Sequence, residues 1–140
     1  MIQVQRAGGE GFSHNEVNPD STKNQMIQLW ALPEEQGQSA GYKYYTPKAV
    51  GVTRIYGGSK AKSNTFDSST NIDIIRLEPN TSITLPEESI TYVTSGIADF
   101  RESNEFFSAT DGDLIRGNNI EIQAKNSISL IVISQSILRE

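Results

Sequence analysis

His14 and Glu16 stand one residue apart in the stretch Ser13-His14-Asn15-Glu16, and no other spacing in the chain offers metal chemistry so directly. In an extended strand, residues two apart point to the same face, so an imidazole and a carboxylate at this spacing converge on one point. Such an N,O pair suits iron, manganese, nickel or copper. It is half a site, because a tightly held catalytic ion takes three or four protein groups and a supporting layer behind them. The chain has one His and no Cys, so the remaining ligands would have to come from another chain. A two-fold dimer offers a route, since symmetry sets the same patch of both subunits face to face. Without that partner the pair is a surface feature and the chain carries no cofactor; with it, iron or another divalent transition metal is the candidate.

Other reactive residue types are less well placed. Glu87 and Glu88 could hold a hard cation, but adjacent strand residues face opposite ways, and the two read as solvated turn residues. Gly8-Gly9-Glu10-Gly11 precedes no amphipathic helix, so it reads as a loop with positive φ and not as a phosphate cradle. One His beside Ser13 does not make a Ser, His and Asp constellation. Trp30 reads as a core or interdomain packing residue, and Tyr42, Tyr44 and Tyr45 as cover for a half-buried face. Arg54, Arg76, Tyr92 and Arg116 are the candidates for lining a ligand pocket. A guanidinium inside such a pocket favours a carboxylate or other anionic ligand, because a buried one needs a partner.

The elements that must carry these residues are β-strands. Strand-like segments run over Ile2 to Gln5, Met26 to Leu32, Val50 to Tyr56, Asn71 to Leu77, Ser89 to Thr94, Ile97 to Phe100, Asn119 to Gln123 and Ser127 to Ser134. Gly57-Gly58, Pro79-Asn80, Pro86, Ser95-Gly96, Asp111-Gly112-Asp113 and Gly117-Asn118-Asn119 supply turn chemistry between them. No ten-residue stretch shows a helical apolar stripe, so the alternation of strand and helix needed for a parallel sheet is missing. At most a turn of helix is expected near Glu34-Glu35-Gln36 or at the C-terminus. The strand from Ile72 to Leu77 carries Arg76 on one face and Asp73 on the other, which predicts burial mainly on one side, as in a sandwich or jelly roll. Ile131-Val132-Ile133 is apolar without a break, which predicts a central strand buried on both faces. Ser59 to Ser69 and Asn18 to Asn24 read as long mobile loops.

Composition bounds the rest. At 140 residues the chain suits one domain. Apolar residues make up 36% and charged residues 21%, enough for a modest core and nothing like a membrane span. The formal charge of −5, with twelve scattered Lys and Arg, argues against nucleic acid as a partner. The absence of Cys excludes disulfides and thiolate zinc sites. The N-terminus has no apolar run to serve as a secretion signal, so a cytoplasmic location is expected.

Glu78-Pro79-Asn80, the alternation leading to Tyr92-Val93-Thr94-Ser95-Gly96, and Asp111-Gly112-Asp113 before two closing strands resemble the cupin superfamily. Ala7-Gly8-Gly9-Glu10-Gly11-Phe12-Ser13-His14-Asn15-Glu16 looks like the AG-x-G-x-x-H-x-E stretch of its pirin-like members. Gln28-Leu29-Trp30, Leu32-Pro33, Tyr42, Pro47 and the segment from Val50 to Gly57 follow in that family's order. Pirin-like proteins are usually two cupin barrels in tandem. The resemblance therefore implies that residues 1–33 are remnant strands from the end of a first barrel and residues 34–140 a second barrel, packed as one structural domain. It also implies that His14 and Glu16 match two of the four iron-type ligands of that first barrel, the other two lying upstream of anything present here.

The fold class expected is all-β, a cupin jelly-roll barrel whose N-terminal strands add to its own sheet or exchange with a neighbour. The function expected is that of a non-enzymatic module binding a small ligand or a protein partner. The alternative is a metal-dependent dioxygenase of the quercetin-cleaving type with ligands completed across an oligomer. A metal-independent sugar isomerase would need a general acid and base inside the barrel, and the one His lies outside it. Ile2, Val4, Met26, Ile27, Leu29 and Trp30 would expose a large apolar patch unless they pair with the barrel or another subunit, which predicts a homodimer.

Overall fold

Asn71, Ile72, Asp73, Ile74 and Ile75 are buried one after another, which a strand covered on a single face cannot achieve. They belong to β4 (Ser68–Leu77). Ile75, with Leu77 against it, joins the main core, while Ile72 and Ile74 join a smaller cluster on the opposite face. The one-sided burial expected for this strand is corrected for a physical reason. β1 (Ile2–Arg6) and β2 (Gly41–Tyr45) pair antiparallel with each other and lay Ile2, Val4 and Tyr45 over the outer face.

The computed structural model describes residues 1–61 and 64–136, and every strand pairing among them is antiparallel. Beside the β1–β2 pair stands a seven-stranded sheet. Its remaining members are β3 (Gly51–Gly58), β5 (Ser82–Ser95), β6 (Ile97–Glu102), β7 (Glu105–Thr110), β8 (Leu114–Ala124) and β9 (Ile128–Gln135), in the spatial order β3-β4-β9-β5-β8-β6-β7. β9 lies between β4 and β5, as its unbroken apolar run predicts. β5 shifts register between Leu85 and Glu88, where Pro86 has no N–H for the ladder. The sheet curls on itself, so that Val93, Ala98, Phe100, Ile120, Ile122 and Leu130 meet in one fully buried cluster. Each large apolar side chain in it contributes about 1.5–3 kcal/mol of transfer free energy.

Two glycines fix the corners. Gly96, between β5 and β6, has φ +99°, and a Cβ there would stand 2.5 Å from the Ser127 carbonyl oxygen. Its N–H donates to the Asp111 carboxylate at 2.6 Å, tying two turns together. Gly57, with φ +94°, packs directly on the Thr70 carbonyl.

The N-terminal region departs from expectation. β1 does not extend the seven-stranded sheet but forms its ladder with β2 and covers the sheet's face. Residues 7–40 hold no strand, and Met26 to Leu32, expected to be one, finds no ladder. Its strand-like composition has no partner edge to pair with. β2 and β7 form where no strand was expected. Glu34 to Gly37 is a bend and turn, with no helix among the described residues; the alternative C-terminal turn falls at residues 137–140, outside them. Lys62 and Ser63 of the expected 59–69 loop also lie outside the described residues. The remainder of that loop is tied down: Thr65 Oγ1 donates to the Gly57 carbonyl at 2.6 Å, Gly57 N–H donates to the Phe66 carbonyl, and Phe66 is buried.

Candidate functional site

Three rows of side chains on the barrel's inner face change step by step from apolar to polar. The first is Ile75, Leu130 and Val93, all in the main core. Two residues along each strand comes Asp73, Val132, Thr91 and Ile115. The next is Asn71, Ser134, Ser89 and Gly117. Period-two alternation puts all three rows on the same side of the sheet, so the polar row marks one end of the barrel.

Arg54 on β3 stands opposite Asp73. Its Nε donates to Asp73 Oδ1 at 2.9 Å and its Nη2 to Oδ2 at 3.0 Å. This is the two-point geometry that makes guanidinium–carboxylate pairs strong. The Asp73 side chain is 12% exposed and that of Arg54 43%, so the carboxylate is inside and the guanidinium sits at the rim. The hydrogen bond to Asp73 raises the Arg54 pKa, burial opposes it, and the charges of Asp73 and Glu87 add to the rise. Glu87, in the β5 irregularity, is therefore part of the rim's field. The Glu102 carboxylate lies where a Cβ on Gly117 would be, a space that only glycine leaves free.

Asn71, Ser89 and Thr91 are no more than 3% exposed, and Asn71 Oδ1, Ser89 Oγ and Thr91 Oγ1 have no hydrogen-bond partner among the described residues. Asn71 commits only its amide group, donating to Ser136 Oγ at 2.5 Å. The barrel end thus combines one satisfied ion pair, two nearby carboxylates and three unpaired oxygens. It can accept and donate hydrogen bonds. It holds no imidazole or thiol to move a proton near neutral pH.

Of the four pocket candidates, Arg54 alone reaches this place. Arg116 alternates with the core residue Ile115, so it faces outward, where it donates to Glu88 Oε1 at 2.7 and 3.0 Å. Arg76 shares the outer parity of Ile72 and Ile74 and lies 3.4 Å from the Lys48 carbonyl. Tyr92 sits between the inward Thr91 and Val93 and so faces outward too. Strand parity corrects the placement of all three. Asp73, Asn71, Ser89 and Thr91 were not singled out as site residues, although polar residues at inward positions beside Val93 were a readable signal.

His14 and Glu16 do converge, but in a loop and not in a strand. His14 Nε2 lies 3.2 Å from Glu16 Oε1, Gln28 Nε2 donates to that oxygen at 3.3 Å, and Phe12 stacks on the His14 ring with centroids 5.2 Å apart. All of this is exposed and outside the barrel. Among the described residues no three His, Cys, Asp or Glu side chains are grouped to hold a metal. Two donors that bond to each other in a solvent-facing loop do not fit a complete transition-metal site.

No family model and no curated protein matches the chain. Its fold, however, has solved counterparts. YhhW from Escherichia coli superposes with a TM-score of 0.59 at 14% identity, over 77% of this chain and 48% of that one. Salicylate 1,2-dioxygenase from Pseudoaminobacter salicylatoxidans does so at 0.50 and 14%, over 60% and 24%. A sugar phosphate isomerase of the cupin superfamily from Silicibacter pomeroyi gives 0.45 at 16%, over 51% and 53%. The barrel has the all-β, antiparallel jelly-roll fold that it shares with the first two, and at these identities the likeness extends to fold alone. The chain spans about half the length of YhhW. Among the described residues no helix is long and apolar enough to cross a membrane.

Proposed function

We propose that this chain is a pirin-like single cupin that works by binding, with a small polar ligand seated at the barrel end over Asn71, Ser89, Thr91 and the Arg54–Asp73 pair. The observation that carries this reading is the set of three buried oxygens without partners. Each such group costs about 1–3 kcal/mol when left dry, and native proteins keep few of them. A ligand bearing hydroxyl or amide groups satisfies them. An anion suits the site less well than the sequence suggested, because Asp73 already supplies the partner that the Arg54 guanidinium needs, while Glu87 and Glu102 add negative charge.

The test is an NMR screen of neutral polyols and primary amides against the labelled protein. A ligand shifting the amides of Asn71, Ser89 and Thr91, and weakened at least about tenfold in a Ser89→Ala/Thr91→Val variant, is the expected result. Equal binding by that variant would remove the assignment.

On this reading residues 1–33 correspond to the end of a first barrel, the protein works in the cytoplasm, and it pairs with a second copy through the uncovered segment Met26 to Leu32, where Trp30 and Leu32 are each 89% exposed. Light scattering showing a monomer at micromolar concentration would end the dimer proposal. The His14–Glu16 convergence supports a second reading, a dioxygenase of the quercetin-cleaving type whose metal site is completed across that dimer. Metal analysis of untagged protein before and after His14→Ala decides it: unchanged metal content eliminates this alternative.

A further inference from the structure

A different face of the barrel carries a second organised array. Ala98 and Phe100 of β6 belong to the core, so Asp99 and Arg101 point outward. Register then builds two rows on the outer face of β7, β6 and β8: Ser108, Asp99 and Gln123 in one, and Phe106, Arg101 and Glu121 in the other. These six side chains line an open groove of about 570 Å³, within the size range of small-molecule sites.

Phe106 and Phe107 are neighbours in sequence with opposite fates. Phe107 stacks on the buried Phe100, ring centroids 5.6 Å apart and planes 7° from parallel. Phe106 remains 70% exposed, forgoing the stabilisation that burial of such a side chain contributes. The Arg101 guanidinium lies 5.3 Å from its ring centroid, covering one side and leaving the other open. Isolated exposed apolar residues are common on surfaces; this one ends an ordered polar row over a groove.

We propose that this groove binds a neutral saccharide. An open aromatic face accepts the C–H face of a pyranose, and the sugar's hydroxyls need donors and acceptors side by side. Arg101 and the Gln123 amide donate; Glu121, the Gln123 carbonyl, the remaining lone pairs of Asp99 and the Ser108 Oγ, whose proton Asp99 holds, accept. The charges balance, with Arg101 and Lys125 against Asp99 and Glu121, and Asp99 is held by Ser108 at 2.6 Å and Lys125 at 3.3 Å. A balanced face selects neither an anion nor a cation, and an apolar ligand would leave its charged rows dry. The site is separate from the barrel end, and its proposal stands independently of that reading.

The experiment titrates the labelled full chain with methyl β-glucopyranoside, methyl β-galactopyranoside, methyl α-mannopyranoside and cellotriose, with glucose 6-phosphate as the charged comparison. Expected are amide shifts confined to residues 99–101, 106–108 and 121–123, with Kd on the order of millimolar. Phe106→Ala and Gln123→Ala should each weaken binding at least about tenfold. Phe106 is exposed, so its variant keeps the fold, which the unchanged remainder of the spectrum verifies. Absence of shifts with all four neutral sugars overturns the proposal, as does undiminished binding to Phe106→Ala. Shifts at Ser89 and Thr91 in place of the groove, or tenfold tighter binding of the phosphate, would overturn it as well.

Discussion

Apolar residues at the two ends of the N-terminal region meet opposite fates, although their types are alike. Ile2 and Val4 pack on the face of the seven-stranded sheet, whereas Met26, Trp30 and Leu32 are left in solvent. The difference is the backbone ladder. β1 has β2 to pair with, residue for residue from Ile2–Tyr45 to Arg6–Gly41, and the pair satisfies its own N–H and C=O groups while presenting one apolar face. Residues 26–32 have no such partner, so burying them would also bury unpaired backbone. Hydrophobicity creates demand for burial, but hydrogen-bond partners decide which segment reaches it.

The largest effect should come from driving the comparison to its extremes. Phe100 is fully buried and stacked on Phe107, so Phe100→Ala should lower unfolding free energy by about 3–5 kcal/mol in urea titrations. Trp30 is the larger side chain, yet at concentrations dilute enough to keep the chain monomeric Trp30→Ala should change stability by less than about 0.5 kcal/mol, while at higher concentration it weakens self-association. A comparable loss from both substitutions in the dilute monomer would mean that Trp30 is covered within its own chain, and the contrast between the regions would fall.

The next effect concerns the polar end of the barrel against its apolar middle. Arg54→Leu leaves the Asp73 carboxylate inside without its cation. Removing one member of a buried pair costs about 3–5 kcal/mol, and the partial exposure of this pair reduces that to about 2 kcal/mol. Arg54→Leu combined with Asp73→Leu should recover most of the loss, because an apolar pair of similar volume extends the neighbouring core row. A double variant less stable than the single one would mean that the charges contribute net stability.

Much of this architecture was legible from residue pattern, and the exceptions have causes. β3, β4, β5, β6, β8 and β9 follow from alternation and turn residues, and the central place of β9 follows from Ile131-Val132-Ile133. β7 escaped because Phe106, Phe107 and Ala109 mix inward and outward apolar positions, which blurs the period of two. Arg116 and Arg76 were misplaced although parity was available: once Ile115 and Ile75 are inside, their neighbours must be outside. The Arg54–Asp73 pair was not legible, since the cross-strand register that joins residues 54 and 73 is set by irregularities between Arg54 and Gly58, where Gly57-Gly58 signals a break in the ladder but not how far it shifts the pairing. The convergence of His14 and Glu16 was anticipated, but the strand meant to cause it was not formed.

A smaller change separates the orphaned hydroxyls from the packed ones. Thr91→Val replaces a buried, unpartnered Oγ1 with a methyl group, so the ligand-free protein should gain up to about 1 kcal/mol in denaturant unfolding while losing affinity for a barrel-end ligand. Destabilisation by about 1 kcal/mol or more would mean that the hydroxyl is satisfied after all, and the barrel end would lose its claim as a site.

The smallest effect is electrostatic and belongs to the outer groove. Asp99 has its pKa lowered from 3.8, first by the hydrogen bond from Ser108 and then by Lys125, with desolvation opposing. A carboxylate whose folded pKa lies below its unfolded value of about 3.9 binds fewer protons folded than unfolded in that window, so stability rises with pH there. The contribution is complete above the unfolded value and is lost as pH falls through the lowered folded one. The Asp99 carboxyl carbon, followed by NMR, should therefore titrate below 3.8, and Ser108→Ala should move its midpoint upward more than Lys125→Met does. The reverse order would show that the charge of Lys125, and not the fixed hydroxyl of Ser108, holds this row of the groove in place.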